Sequence, residues 1–286
     1  MAHDNAKTAA SNAVRAVDAE GDVYILSFPK CGRTWLRLLL ARAISAAHGI
    51  PMEVCRDLDL THFSAVDSTV PRIVFWHDDR VALRAPAQLS ADKDFYRDRR
   101  VVLLLRDIRD VAVSHYFQRT RREGDSYNGT LGDFLTEEVG SVRTCLEFWN
   151  IWHAQQHVPA AFLLSSYERL TADTPGELGR IMRFCGLTQA VDPAAVETAV
   201  AFAHFGAMRA MERDDVFRSE KLRPSDPGDV ESYKTRRGVV GGYRDYLTKE
   251  QADDVDALVR GHLVPAWQPA ALAADEQPEP PLSTAK

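Results

Sequence analysis

Ser27-Phe28-Pro29-Lys30-Cys31-Gly32-Arg33-Thr34-Trp35 joins two segments of opposite character. Upstream, Val23-Tyr24-Ile25-Leu26 is a short apolar, β-branched and aromatic run, the pattern of a buried strand. Downstream, Trp35 to Arg42 reads as a helix with Arg37 and Arg42 on its wet side. Between them Pro29 stops the strand and Gly32 lets backbone approach a ligand closely, while the new helix presents unpaired N–H groups with a partial positive charge. Lys30 adds a full charge at that spot. The connection is phosphate-sized and suggests a nucleotide-binding enzyme. The pattern G-x-x-x-x-G-K-[ST] does not fit, because Lys30 precedes the glycine and no earlier glycine has the required spacing, which disfavours an ordinary ATPase or GTPase.

Working outward, strand and helix patterns alternate. Strands are expected over 22–28, 71–76, 100–105 and 160–165, each apolar at nearly every position, as strands covered on both faces should be. Helices are expected over 33–48, 107–121, 130–139, 141–157, 174–185, 192–201 and 248–262, with Thr130 and Thr248 placed as N-caps. Such alternation argues for an α/β fold with a parallel sheet between helices. Ligands of such sheets collect at the C-terminal ends of the strands, where Lys30 follows the first, His77 the second and Arg106 the third. The polar stretch 212–247 reads as a long functional loop. The expected organisation is a flexible segment over 1–20, one domain over 21–266, and a disordered Pro/Ala-rich tail over 267–286.

The chain has 286 residues, enough to bury a substantial core, and a formal net charge of −6, which argues against a general nucleic-acid footprint. Charge is uneven, however: from Arg97 to Arg122 eight arginines face three aspartates, and the imbalance needs a local explanation. The cysteines Cys31, Cys55, Cys145 and Cys185 are far apart, with no C-x-x-C pair, so neither a zinc site nor a disulfide framework is suggested. The N-terminus lacks the features of a signal peptide and no apolar run reaches membrane-spanning length. A soluble protein of the reducing cytoplasm, with no membrane span, is expected.

Two further motifs carry chemistry. In 101–122, Arg106 ends an apolar strand and Ser114 follows about two helical turns later, where a guanidinium fork and a hydroxyl could hold a phosphate. In 236–244, the paired Arg236 and Arg237 precede Gly238, so side chains and backbone amides could wrap a phosphate together. The three motifs, in this order, resemble those of the cytosolic-type PAPS-dependent sulfotransferases, over about residues 22–248. The first resembles the family's phosphosulfate loop, Tyr-Pro-Lys-Ser-Gly-Thr-Thr-Trp, with Cys31 and Arg33 in place of serine and threonine. The second resembles its 3′-phosphate segment through Arg106, Asp110, Val111, Ala112, Val113, Ser114 and Tyr116. The third resembles its Arg-Lys-Gly turn, with Tyr243 standing for the usual tryptophan.

That resemblance implies a P-loop-like three-layer sandwich and an enzyme that moves a sulfonate from PAPS in line onto an acceptor hydroxyl, with no metal required. It implies that Pro29, Lys30, Cys31, Gly32, Arg33, Thr34, Trp35, Arg106, Ser114, Arg236, Arg237 and Gly238 hold the donor, and that Trp35, Tyr167 and Phe205 line an adenine slot. Lys30 would stabilise the leaving phosphate oxygen and His77 would be the base, an imidazole being suited by its near-neutral pKa. Phe75 stands where the family has lysine, so a second cation must come from elsewhere, and Arg33 is the candidate. Asp78 is the alternative base, with Asp79 beside it. The acidic content of the variable segments (Asp57, Asp59, Asp78, Asp79, Asp125, Glu137, Glu138) leans towards a polar small-molecule or glycan hydroxyl acceptor. A homodimer is left open. Two other readings stand beside this one: an ATP-dependent small-molecule kinase of P-loop type, and a non-catalytic module binding a nucleotide or polyanion.

Overall fold

The computed structural model describes residues 22–122, 127–217, 219 and 222–273. The expected flexible segment 1–20, Asp125, and the tail from 274 onward lie outside them. Four strands, β1 (Val23–Ser27), β2 (Ile73–Trp76), β3 (Arg100–Leu105) and β4 (Ala161–Ser166), pair in the order β2-β1-β3-β4, and every pairing is parallel. The central strands β1 and β3 are buried from Val23 to Ser27 and from Val101 to Leu105, which is why both read as uninterrupted apolar runs. At the edges, Phe75 and Trp76 of β2 and Ala161 to Leu164 of β4 are only half-buried.

Helices flank the sheet: α1 (Arg33–His48), α2 (Thr61–Val66), α3 (Ile108–Arg121), α4 (Leu131–Thr136), α5 (Val142–Gln155), α6 (Tyr167–Ala172), α7 (Thr174–Cys185), α8 (Pro193–Phe202), α9 (Phe205–Arg213), α10 (Lys249–His262) and α11 (Gln268–Ala271). Thr130 and Thr248 do cap α4 and α10. Each hydroxyl accepts a backbone N–H three residues on at 3.2 Å, and the side chain of Asp133 or Gln251 returns a bond to the threonine N–H. The sequence reading passes over α2, α6 and α9, which span too few turns to show a helical period. Ser166 and His204 cap α6 and α9 by accepting from Arg169 N and Ala207 N, both at 3.2 Å.

The ordered chain runs further than the expected boundary at 266. Trp267 is 5% exposed and stacks on Phe162 of the edge strand at 6.5 Å and 7°, while Phe162 in turn stacks on Trp152 at 6.2 Å. A half-covered edge strand leaves apolar surface that a tryptophan can bury, and that corrects a tail start placed on composition alone. Because all four strands point the same way, the residues that follow them, among them Lys30, His77, Arg106 and Tyr167, gather at one edge of the sheet.

Candidate active site

The first loop turns by alternating its backbone. Lys30 and Gly32 have φ of 73° and 88°, with Cys31 between them outside the left-handed region, an alternation that turns successive amides towards one concavity. Glycine is needed at 32 for space as well, since a Cβ there would lie 2.6 Å from Cδ2 of Tyr167. Helix α1 then starts with no capping side chain and no acid in its first turn, and its first bond is from Leu36 N to Gly32 O at 3.1 Å. The amides ahead of Leu36 have no helical acceptor, the condition under which a helix start can hold an anion. Trp35 donates from Nε1 to Ala203 O at 3.0 Å and meets Tyr167 edge to face at 5.5 Å.

Arg106 and Asp110 tie the three motifs into one site. Arg106 donates to Lys30 O at 3.1 Å and to Val239 O at 3.3 Å, and lies 4.3 Å over the Tyr167 ring. Asp110 accepts from Gly241 N at 2.9 Å and Tyr243 N at 2.8 Å, which pins the third motif to the start of α3. Gly238 has φ of 68°, and a Cβ there would fall 2.2 Å from Cδ2 of Phe205, so the third motif lies flat against that ring.

These segments surround a cavity of about 950 Å³. Pro29, Lys30, Gly32, Arg33, Thr34 and Trp35 line it from the first loop, Arg106 and Ser114 from β3 and α3, and Arg236, Arg237 and Gly238 from the third motif. Tyr167, Phe205 and His77 complete the set expected from sequence. Cys31 is the exception. Its side chain is fully buried on the protein side, Sγ lies 3.9 Å from Pro29 O, and burial pushes the thiol up to about 12, so only its backbone is available to a ligand. Nor does the arginine-rich stretch 97–122 converge on one phosphate. Arg109 is buried between Asp107 at 2.7 Å and Asp256 at 3.1 Å, Arg122 holds Glu212 at 3.1 Å, and of the eight arginines only Arg106 and Arg119 line the cavity.

The cavity wall is electropositive. Burial, reinforced by Lys234, Arg122 and Arg236, holds the Lys30 ammonium well below the usual lysine range. Burial and Arg37 bring Arg33 down to about 9; burial, Arg122 and Arg33 bring Lys234 down to about 8. No Asp or Glu is among the described residues lining the cavity. Arg106 Nε is buried with no hydrogen-bond partner. Cations that depress one another, beside an orphaned guanidinium N–H and open helix amides, fit a polyanionic group. Arg236 and Arg237 reach the cavity although each also holds a carboxylate, Glu231 at 3.1 Å and Asp245 respectively.

His77 donates from Nδ1 to Ser27 O at 3.0 Å, which leaves Nε2 as the acceptor nitrogen, and Arg33 donates to it. Burial and the Arg33 charge hold this imidazole well below its usual value, so it is neutral at physiological pH. The alternative base is elsewhere. Asp78 accepts from Lys93 Nζ at 2.9 Å, Tyr96 OH at 3.0 Å and Trp152 Nε1 at 3.1 Å, and it does not line the cavity. Asp79 accepts from Ser90 N at 2.6 Å and pairs with Arg84 at 3.2 Å. Asp57, Asp59, Glu137 and Glu138 do not line the cavity either, so among the described residues the acids on which a polar acceptor was inferred stand outside it.

Sequence reading misses Gln118, which accepts from Lys30 Nζ at 3.0 Å, and the lining residues His115, Arg119, Arg80 and Lys234. Lys234 is aimed by a buried carboxylate: Glu212 accepts from Lys234 N at 2.5 Å and Thr235 N at 2.8 Å. The available signal was a lysine two residues ahead of Arg236, hidden in a polar loop.

Residues 20–268 match the sulfotransferase domain, and the chain belongs to that family, the PAPS-dependent sulfotransferases. Cytosolic sulfotransferase 10 of Arabidopsis thaliana is 25% identical over 275 residues, covering 85% of this chain and 78% of that protein. Human sulfotransferase 2A1 is 26% identical over 83% of this chain and 82% of its own. Two solved structures share the fold. Retinol dehydratase in complex with androsterone and the inactive cofactor PAP has a TM-score of 0.59 at 16% identity over 84% of this chain and 80% of its own. Mouse sulfotransferase SULT7A1 complexed with PAP has a TM-score of 0.56 at 17% identity over 89% and 88%. No helix among the described residues is long and apolar enough to cross a membrane.

Proposed function

We propose that this cavity holds PAPS and an acceptor hydroxyl together, with His77 as general base and Lys30 as the cation at the leaving phosphate. What carries the reading is the convergence of three sequence-distant segments, cross-tied by Arg106 and Asp110, on one cavity without a carboxylate in its described lining. The amides of the 29–35 loop and α1 suit the 5′ end of the donor, and Arg106, Ser114, Arg236, Arg237 and the Gly238 backbone suit its 3′-phosphate. Trp35, Tyr167 and Phe205 supply faces and edges for the adenine.

PAPS, when bound, supplies a sulfonate whose sulfur exchanges its bond to the phosphate oxygen for one to the acceptor oxygen. His77 Nε2 takes the acceptor proton. Its bond to Ser27 O fixes the tautomer that can do so, and its depressed basicity keeps the lone pair free of protons at neutral pH. Lys30 faces the charge that develops on the phosphate, where a fixed donor in a poorly hydrated site acts most strongly. Arg33, now bonded to Nε2, is placed to swing onto the sulfonate when the acceptor hydroxyl takes that position, standing in for the lysine that Phe75 replaces. Phe75 instead carries the Arg37 guanidinium 4.5 Å over its ring.

Thermal shift with adenosine 3′,5′-bisphosphate against ATP plus magnesium tests the donor site. The bisphosphate at 100 times its Kd is expected to add about 2.7 kcal/mol of stability. Stabilisation by ATP alone would point to the kinase reading. Labelled PAPS with an acceptor library then tests the roles: His77→Ala should lower kcat about 10²–10⁴-fold and Lys30→Ala about 10²–10³-fold. Full turnover by His77→Ala would remove it as the base.

A further inference from the structure

The cavity continues past His77 to a strap, residues 78–84, built in an unusual way. Asp78, Asp79 and Arg80 have φ of 46°, 42° and 52°, three consecutive non-glycine residues in the left-handed region. Such backbone persists only where its surroundings over-determine it. Here they do. Asp78 is locked by Lys93, Tyr96 and Trp152, and Asp79 by Ser90 N and Arg84. At the far end Arg84 O accepts from Gly140 N and Thr144 Oγ1, both at 3.0 Å, and a Cβ on Gly140 would lie 2.1 Å from Ala82 O. Both acids of the strap are thus turned into the scaffold. Arg80, Ala82 and Leu83 are what it shows to the cavity, with Leu83 71% exposed at the mouth.

Arg80 is a cation of the wall that the donor-site reading does not use. Arg106, Arg236 and Arg237 are each offset by a carboxylate, Asp110, Glu231 and Asp245, whereas Arg80 lines the cavity and pairs with no carboxylate among the described residues. Arg80 follows the proposed base His77 by three residues, on an exposed part of the strap.

We propose that the acceptor is a hydroxyl compound with an anionic group of its own, a carboxylate, phosphate or sulfonate, gripped by Arg80, with its apolar part against Ala82 and Leu83. This rests on the donor-site reading above. The test is binding to the protein saturated with adenosine 3′,5′-bisphosphate, followed by calorimetry. The anionic arms are 4-hydroxyphenylacetate, (4-hydroxybenzyl)phosphonate, 4-hydroxybenzenesulfonate and 6-hydroxyhexanoate, compared in turn with the neutral 4-hydroxyphenylacetamide, dimethyl (4-hydroxybenzyl)phosphonate, 4-hydroxybenzenesulfonamide and 6-hydroxyhexanamide. A charge-assisted bond to the guanidinium should make at least one anionic arm about tenfold or more tighter than its neutral match, and the strongest arm identifies the group. Arg80→Gln should erase that preference and leave the affinity for the bisphosphate unchanged, while Arg80→Lys keeps part of it. Equal binding of acids and amides, no binding by any arm, or a preference that survives in Arg80→Gln would overturn the proposal. Failure of the bisphosphate itself to bind the wild type would overturn the donor-site reading, and this proposal with it.

Discussion

At the residue scale, the site is governed by charges buried close to one another. Lys234 shows how such a group reads out in pH. Its pKa is lowered to about 8 because burial and the neighbouring arginines disfavour the ammonium, so the charge is present below that value and lost as pH rises through it. If that charge assists donor binding, kcat/KM should decline above about pH 8, and Lys234→Arg should move the alkaline limb upward. A limb that stays in place in Lys234→Arg would assign it to another group, Arg33 with a pKa of about 9 being next. No acid limb is expected near pH 6.5, because His77 is held well below that value and remains an unprotonated base. Lys30, Arg106 and Gly238 were legible in the sequence because each stands in a short motif with a mechanism. Lys234, Arg80 and Gln118 were not, since each acquires its meaning only from what faces it.

At the scale of elements, the decisive contact runs from the start of α3 to the turn at 238–243. Asp110 is 3% exposed and bonds two backbone amides of that turn. Asp110→Ala would orphan both amides and leave Arg106 without its nearby carboxylate, a loss of about 3–5 kcal/mol by the measure of a broken buried pair. Chemical denaturation should show that loss, and the affinity for adenosine 3′,5′-bisphosphate should fall with it. A variant with wild-type stability and affinity would show that the turn is held by other contacts. The strands and long helices were readable from periodicity, and Thr130 and Thr248 marked two helix starts correctly. Short helices such as α6 and α9 escaped because they are fixed by single capping bonds and tertiary packing.

At the scale of the whole molecule, the parallel sheet brings the ends of its strands to one edge, and the C-terminal segment packs on β4 through the stack of Trp267 on Phe162. Trp267→Ala should cost about 3–5 kcal/mol, the range for emptying a large aromatic site, measured as a drop in the denaturation midpoint. A change within 0.5 kcal/mol would mean that the Trp152, Phe162 and Trp267 stack contributes little. Residue order alone carried the α/β class, the strand that feeds α1, the family and most of the residues that line the cavity. It could do so because buried strands, helix starts and phosphate-sized loops are local patterns, each readable within about ten residues. The remainder came from how the elements pack. That packing turned Cys31 and Asp78 away from the cavity, tied motifs 133 residues apart through Arg106, and set Arg80 and Lys234 on the wall. Side-chain direction and charge neighbourhood depend on which strands lie side by side, and no local pattern encodes that.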